Sequence, residues 1–514
     1  MIKGDGVATP QPDAEREGED IATLAKGGRT NVFGFVLRLT ARLPFLFIAG
    51  RIYGAETVGR FAFAVLIVEL AALVATLGLK RGLAQALAKT DRSHSHVVWD
   101  GMAVAFLASA AATALLFAFP QIMYPNSEIY GLERLLPLVV FAIAWSDISL
   151  AALAYRLNVK ATVWARAVVE PWTISVAALA LSFVSTRDGL IISYVLSMIA
   201  ALTASLVPFI RSYGIPYGWK PHVAPIIQLT RANVPLAGAD ALEWASRNVD
   251  RFILGLFFGP AIVGVYYMAQ QVASLPQRLK TSFDPILGPV VTQSLAEGDR
   301  AAVARQVRQV AYWIMTAQLL LALMGSVPGE AVMGVIGPAF VSGTAALAFL
   351  LFAEVFASQG AVSESALVYM ARHRNLMISS TMLGIQVVMS IGLILLARRL
   401  GLPETYAAAG PALALAITVG IASFTKAALL KHLTQTPVWG FRWALVAAGV
   451  IAAGVGTLFT RLPEWAELSF GLPAIVATYA VVIWRYGLTD DDRALFRKSG
   501  AQPAPISGGS AAAR

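Results

Sequence analysis

The sequence predicts an all-α polytopic membrane protein with about 14 transmembrane helices. Of its 514 residues, 57% are hydrophobic and only 14% are charged, whereas soluble globular proteins carry about 25% charged residues. Apolar runs of about 20 residues recur along nearly the whole chain, and each is long enough to cross the hydrocarbon core as a helix. The alternating pattern of a membrane barrel is absent, so helices are the expected spanning elements.

Hydropathy, interrupted at Pro, Gly and charge clusters, places two sets of six spans and a final pair. The first set covers residues 31–53, 57–79, 98–120, 135–157, 163–186 and 188–211. The second set covers residues 232–258, 263–288, 310–336, 344–370, 375–398 and 406–431, and the final pair covers 440–460 and 466–486. The first and seventh spans differ from the others because they carry charges.

These spans predict two six-helix lobes, with tails and a linker outside them. The expected divisions are a disordered cytoplasmic tail (1–28), an N-lobe (29–211), a cytoplasmic linker (212–231), a C-lobe (232–435), two further helices (436–487) and a C-terminal cytoplasmic tail (488–514). Most of the 40 Lys and Arg residues lie inside if the N-terminus is cytoplasmic, which predicts that both termini are cytoplasmic. The net charge of +10 then reflects topology and contact with anionic lipid, and no nucleic-acid-binding module is visible.

The composition also excludes several kinds of chemistry. Cysteine is absent, so there are no disulfides, thiolate metal sites or cysteine nucleophiles. The five His residues lie in a polar loop or near basic helix ends, and for His94 and His96 a solvated loop is favoured over a metal site. No Walker A loop for ATP is found. We therefore expect neither a metal site nor a cofactor.

An internal repeat relates the two sets of six spans. The segment GRIYGAETVGRFAFA from Gly50 aligns with GLFFGPAIVGVYYMA from Gly255, a shift of 205 residues. The shift places Gly50, Gly54, Val58, Gly59 and Ala64 on Gly255, Gly259, Val263, Gly264 and Ala269, with Ala55 on Pro260. Tight helical hairpins favour Gly in any case, but the shared register at equivalent hairpins favours duplication. Units with an even number of spans insert in the same direction, which predicts a pseudo-two-fold axis along the membrane normal and a cleft between the lobes.

The seventh span contains the stretch DALEWASRNVDRFILG, residues 240–255, with five charges. Their spacing of three or four residues places most of them on one helix face. They are Asp240, Glu243, Arg247, Asp250 and Arg251. In the first span, Arg38 and Arg42 are also four residues apart, and the 205-residue shift places Arg42 on Arg247 and Arg38 on Glu243. Charges within a bilayer must face protein or water.

Two interpretations of these seven charged residues remain open. In the first, the charged faces of the first and seventh spans, which we call charged stripes, line a hydrated central cavity. The cargo would be polar and anionic, because the planar guanidinium of Arg binds two oxygens of a phosphate or carboxylate. In the second, the charges pair with one another, beginning with Glu243 and Arg247 at i,i+4 spacing. A second group of intramembrane acids is a candidate proton or sodium relay or, alternatively, a set of structural carboxylates. These acids are Glu69, Asp147, Glu170, Glu354 and Glu364.

The chain resembles the multidrug/oligosaccharidyl-lipid/polysaccharide (MOP) exporter superfamily, and within it the polysaccharide transporters that include the O-antigen (Wzx-type) flippases. The resemblance is carried by the opening hairpin GAETVGRFAFA with LGLKRGLAQ, by its echo in the second lobe, by VIGPAFVSGTAALAFLLFA at 335–353 and by MARHRNL at 370–376. It covers residues 29–435 and implies two six-helix bundles that move polyprenyl-diphosphate-linked sugars between leaflets by alternating access. It also implies that cavity arginines bind the diphosphate or acidic sugars.

Fourteen-helix relatives, including lipid II flippases, suggest that the final pair of helices holds a lipid tail, although a peripheral packing role is equally compatible with the sequence. The expected partners are the lipid bilayer, the polyprenyl-linked oligosaccharide and polysaccharide-assembly proteins, and the expected location is a bacterial inner membrane. One alternative is a multidrug antiporter of the same superfamily. Another is a polytopic polymerase or ligase, although no outside loop groups acids with His as an enzyme would require.

Overall fold

The computed structural model describes residues 43–129, 131–219, 223–280, 291–489 and 492, and these residues form no β-strand. The first half contains α1 (43–53), α2 (Gly54–Ala75), α3 (Leu79–Lys89), α4 (His94–Ala118), α5 (Val139–Tyr155), α6 (159–182) and α7 (Gly189–Tyr213). The second half contains α8 (Val223–Phe257), α9 (Pro260–Lys280), α10 (Arg300–Ser326), α11 (Gly329–Ile336), α12 (Thr344–Met370), α13 (Arg372–Arg399) and α14 (Glu404–Thr434). The last two helices are α15 (Trp443–Phe459) and α16 (Glu464–Gly487).

The predicted all-α polytopic fold is confirmed. Apart from the short α3 and α11, the helices in the described ranges correspond to the fourteen predicted spans. By length and composition alone, nine helical stretches of the described chain are long and apolar enough to cross a bilayer, and Leu43–Lys89 counts as one of them. Helix α8 is not among the nine because its polar and charged residues lower its hydropathy, and α15 has only 17 residues.

The predicted and observed boundaries differ most at the ninth span, for which hydropathy predicts residues 310–336. Helix α10 instead begins at Arg300, where the Asp299 side chain caps it by accepting a hydrogen bond from the Ala302 backbone N–H at 2.8 Å. Hydropathy missed this polar first part because capping and backbone hydrogen bonds extend a helix independently of its apolar content. At the other end, α10 ends at Ser326 and the turn of Val327 and Pro328 separates it from α11, because proline has no backbone N–H with which to continue the helical hydrogen bonds. Helix α8 likewise begins before its predicted span, at Val223 within the predicted linker.

The two lobes meet through the hairpins that the repeat identified. A Cβ atom built on Gly59 would lie 1.7 Å from the Pro260 carbonyl oxygen, and one built on Gly264 would lie 2.0 Å from the Ala55 carbonyl oxygen. Gly59 aligns with Gly264 and Ala55 with Pro260, so each contact is the image of the other under the repeat. Reciprocal contacts of this kind are the signature of a two-fold relation, and they place the pseudo-two-fold axis between α2 and α9.

We call the end of the bundle that carries these hairpins the outer end and the opposite end the inner end. At the outer end, Arg60 on α2 bonds both carboxylate oxygens of Glu133, at 3.0 and 2.5 Å, and donates to the Glu128 carbonyl at 2.6 Å. The Asn126 side chain donates to the carbonyls of Gly255 at 2.8 Å and Phe258 at 3.1 Å. The loop that follows α4 is thus fixed to both lobes, and the outer end is closed.

The final helical pair is attached to α10 by a buried carboxylate. Asp492 accepts hydrogen bonds from Trp313 Nε1 at 2.9 Å, from the Thr489 backbone N–H at 2.9 Å and from Gln309. It also pairs with Arg442 at 2.5 Å, and the guanidinium of Arg442 lies 3.8 Å from the centroid of the Tyr312 ring. These contacts fix α15 and α16 to the C-lobe, so we expect the pair to move with that lobe.

Asp492 should make stability depend on pH. Burial alone would raise the pKa of Asp492, but hydrogen bonds from Thr489, Arg442 and Trp313 favour the carboxylate and hold the pKa below its ordinary value. A group with a depressed folded pKa stabilises the fold above its unfolded pKa of about 3.9, and this stability is lost as the pH falls through the folded pKa. We therefore expect Asp492→Asn to lower the thermal midpoint at neutral pH and the difference from wild type to vanish in acid.

The measurement is thermal unfolding of the purified protein between about pH 3 and pH 8. The matched control is Asp91→Asn, which changes an exposed aspartate and should leave the midpoint unchanged. An Asp492→Asn midpoint equal to that of wild type at neutral pH would contradict the stabilising role of this carboxylate.

Candidate substrate cavity

The inner part of the charged stripe on α8 links the two lobes. Arg81 on α3 bonds Asp240 through its Nε at 2.7 Å and also bonds Glu243, which in turn accepts a hydrogen bond from Arg247 at 2.9 Å. Asp240 is buried, whereas the other three side chains are about half exposed. Because α3 belongs to the N-lobe and α8 to the C-lobe, this cluster is a bridge across the inner half of the cleft.

The two charged residues nearest the outer end of α8, Asp250 and Arg251, point in different directions. Asp250 is buried and accepts a hydrogen bond from the Tyr266 hydroxyl on α9 at 2.6 Å. Arg251 donates to the Asn248 side chain at 3.0 Å, and its guanidinium lies 5.3 Å from the centroid of the Tyr267 ring. Adjacent helix residues are separated by about 100°, so Asp250 packs against α9 while Arg251 borders a cavity.

That cavity, which we call the C-lobe cavity, has a volume of about 380 Å³ and is bounded by α2, α8, α9, α12 and α14. Its polar lining includes Glu69, Arg247, Arg251, Gln270, Gln271 and Glu354. The Nε atom of Arg251 is buried and makes no hydrogen bond with any residue that the structure describes. The unsatisfied Nε–H of this otherwise bonded guanidinium favours an anionic ligand, since an unsatisfied buried polar group is costly.

A second cavity, the N-lobe cavity, has a volume of about 510 Å³. Its polar lining includes Glu69, Lys80, Asp147, Arg166, Glu170, Tyr194 and Trp244. Arg166 bonds both Asp147 and, at 2.8 Å, Glu170, while Lys80 bonds Asp147 at 3.3 Å. Two of the candidate relay acids are therefore paired with cations. Glu69 borders both cavities, so the two are neighbours across α2.

The remaining candidate residues have different surroundings. Glu364 lies away from both cavities and pairs with Lys426 at 2.9 Å and with Asn375 at 3.2 Å. Arg38 and Arg42 lie outside the described residues, so the structure does not place the stripe of the first span. Among the side chains that it does place, no group of three or more His, Asp and Glu is arranged to hold a metal ion.

Several residues of these sites were missed by sequence analysis. Lys80 and Arg81 directly follow the second predicted span and Arg166 lies within the fifth, so hydropathy alone gives none of them a role in a site. Arg166 carried one usable signal, because Arg166 and Glu170 stand at i,i+4 spacing like Glu243 and Arg247. Gln270 and Gln271, two consecutive amides within an apolar span, were a comparable signal for a polar cavity wall.

Known protein families and solved structures resemble this chain. A family model described as polysaccharide biosynthesis protein matches residues 48–335, which is more than half of the chain. The chain belongs to this family. The match confirms the predicted resemblance to polysaccharide transporters, and it covers the hairpins and most of the helices that border both cavities in this family member. No curated protein sequence matches significantly.

Solved structures of transporters share the fold of this polysaccharide biosynthesis protein. The lipid II flippase MurJ in an inward closed conformation aligns with a TM-score of 0.65 at 13% identity, covering 90% of this chain and 99% of MurJ. An inward-facing multidrug resistance MATE family transporter of the MOP superfamily aligns with a TM-score of 0.61 at 12% identity, covering 78% and 98%. A MOP superfamily transporter from Pyrococcus furiosus aligns with a TM-score of 0.51 at 14% identity, covering 82% and 96%. This family member is thus a multi-pass membrane protein with the MOP fold.

Proposed function

We propose that this protein is a flippase for a polyprenyl-diphosphate-linked oligosaccharide. The cargo is an O-antigen, capsule or exopolysaccharide repeat unit, moved from the cytoplasmic to the periplasmic leaflet of a bacterial inner membrane by alternating access. The observation that carries the proposal is the buried, unpaired Nε of Arg251 in a cavity that Arg247 also lines. Membership of a polysaccharide biosynthesis family supports the saccharide part of the cargo.

The chemistry of the C-lobe cavity suits a diphosphate. Arg247 and Arg251 supply planar guanidinium groups that bond two phosphate oxygens at once, and the amides of Gln270 and Gln271 add further donors. Arg42, the sequence equivalent of Arg247 in the N-lobe, is a candidate for a third guanidinium. A sugar on a lipid diphosphate is polar enough to need such a hydrated path across the membrane.

Alternating access also accounts for the contacts that join the lobes at both ends of the cleft. With both termini cytoplasmic, the outer end faces the periplasm, and its closure corresponds to a state before release. Cargo would enter from the inner end after Arg81 separates from Asp240 and Glu243. Polysaccharide-assembly proteins on the periplasmic side would then consume the exported repeat unit.

The test follows the cargo in proteoliposomes with leaflet-selective labelling. We expect wild type to move lipid-linked oligosaccharide to the opposite leaflet. Charge-assisted hydrogen bonds are worth about 1.5–3 kcal/mol each, so Arg247→Ala and Arg251→Ala should each slow flipping roughly tenfold or more, and the double variant further. Arg42→Ala tests the equivalent position, and Arg247→Lys, which keeps the charge but not the planar fork, should be intermediate.

The matched control is Arg399→Ala, an exposed arginine at the end of α13, which should flip at the wild-type rate. Unchanged flipping in the double variant would assign the stripe a structural role. Absence of flipping by wild type, together with export of drugs coupled to an ion gradient, would favour the multidrug antiporter that the MATE-like fold also permits.

A further inference from the structure

The N-lobe cavity is not explained by diphosphate binding. Its volume of about 510 Å³ lies within the range of about 300–1,000 Å³ that is typical of ligand sites. Three acidic and two basic side chains line it, whereas the C-lobe cavity has two of each, so an anion gains less in the N-lobe cavity. The cavity therefore favours a neutral, hydroxylated ligand over a phosphate.

The polar wall of this cavity is held rigid by its own ion pairs. Arg166 joins Asp147 to Glu170, and Lys80 holds the second oxygen of Asp147. Such a network presents carboxylate acceptors and guanidinium and ammonium donors in fixed directions. Sugar hydroxyls both donate and accept, and vicinal hydroxyl pairs match the spacing of planar carboxylate and guanidinium groups.

An aromatic side chain faces this wall from the other lobe. Trp244 on α8 is partly buried and lines the cavity together with Tyr194 and Met198. An indole ring offers a flat apolar face for the C–H groups on one side of a sugar ring. The combination of one aromatic face with convergent charged hydrogen-bonding groups is the arrangement that a pyranose needs.

The two cavities are also adjacent. Glu69 contributes to the walls of both, and Trp244 of the N-lobe cavity lies on the same helix as Arg247 and Arg251 of the C-lobe cavity. Trp244 and Arg247 are separated by a rise of about 4.5 Å, slightly less than one helical turn. This adjacency suits a ligand in which a diphosphate is bonded directly to a sugar.

We propose that the N-lobe cavity binds the saccharide portion of the cargo, with Trp244 stacking on a sugar ring and Asp147, Arg166 and Glu170 bonding its hydroxyls. This inference rests on the proposed function, since it places the sugar beside the diphosphate-binding arginines. Helix α8 then contacts both chemical parts of the cargo. Asp240, which forms part of the bridge to Arg81, lies about one turn from Trp244 toward the inner end.

The test compares two kinds of soluble probe on the purified full-length protein. One probe is farnesyl diphosphate, and the others are farnesyl diphosphate esterified to glucose, galactose or N-acetylglucosamine. The variants are Trp244→Leu, which keeps an apolar side chain without a ring, and Trp244→Phe, which keeps a ring. The readout is the ratio of Kd values for probes with and without sugar, and this ratio is insensitive to the fraction of protein that is folded.

We expect wild type to bind at least one sugar-bearing probe more tightly than farnesyl diphosphate. Trp244→Leu should reduce that preference roughly two- to tenfold and leave the Kd for farnesyl diphosphate unchanged, while Trp244→Phe should retain most of it. The matched control is Trp172→Ala on α6, an exposed tryptophan that does not line the cavity, and it should alter neither value.

The possible failures are distinguishable. If wild type binds farnesyl diphosphate but gains nothing from any of the three sugars, the saccharide site is wrong and the proposed function stands. The saccharide site is also wrong if Trp244→Leu weakens the binding of both kinds of probe equally. If wild type binds none of the probes, both the saccharide site and the proposed function are overturned.

Discussion

Alanine at Gly59 or Gly264 is expected to prevent closure of the outer end. The added Cβ would lie 1.7 Å from the Pro260 carbonyl oxygen or 2.0 Å from the Ala55 carbonyl oxygen, and both obstacles are backbone atoms that no side-chain rotation removes. Overpacking of this kind costs about 1–3 kcal/mol. The equilibrium between closed and open outer ends should therefore shift roughly ten- to hundredfold toward the open state, and net flipping should fall accordingly.

The absence of cysteine makes this shift measurable with one introduced thiol. Ser274→Cys places a thiol in the C-lobe cavity, where a membrane-impermeant maleimide added at the outer face should not reach it in wild type. The thiol should become reactive in the Gly59→Ala and Gly264→Ala backgrounds. Gly259→Ala is the matched control because it lies in the same turn and its Cβ would meet no atom within 4 Å. Unchanged labelling and flipping in Gly59→Ala would show that the contact between Gly59 and Pro260 does not close the outer end.

Reversal of the charge at Arg81 should have a comparably large effect at the inner end. Arg81→Glu removes the cation that faces the buried Asp240 and places a third acid beside Glu243. A buried charge left without its partner costs about 1–3 kcal/mol or more, and repulsion between the acids adds to this cost. We expect the bridge to break, the inner end to open and flipping to fall roughly tenfold or more because the cleft no longer closes at this end.

The measurement pairs thermal unfolding with flipping in proteoliposomes. The double exchange Arg81→Glu with Asp240→Arg restores a pair of opposite charges across the cleft. It should recover part of the thermal stability and part of the flipping rate. Lys89→Glu is the matched control, since it reverses an exposed charge on the same helix. If Lys89→Glu is as harmful as Arg81→Glu, the effect comes from the charge of α3 in general and the bridge has no specific role.

The sequence predicted features that depend on neighbours along the chain. Apolar runs identified the spans, and the shared register of GRIYGAETVGRFAFA and GLFFGPAIVGVYYMA identified a duplication whose two copies are in reciprocal contact at Gly59 and Gly264. The errors in span boundaries arose where polar residues continue a helix, as at Arg300, because hydropathy measures burial in lipid and not backbone hydrogen bonding. Helical periodicity placed the charges of α8 on one face but did not separate Asp250 from Arg251.

The sequence by itself therefore determined that this is a membrane protein, the approximate set of spans, the repeat and the family resemblance. Each of these can be recognised from local composition or from segments that match at a constant separation along the chain. The i,i+4 spacing of Glu243 and Arg247 indicated that they could pair, as they do, but only the tertiary structure decided which distant charges meet. Arg81 bonds Glu243 across a separation of 162 residues, and Arg60 reaches Glu133 across 73 residues. Such pairs depend on how distant helices and loops pack, and a salt bridge between residues far apart in the chain leaves no periodic signal in the sequence.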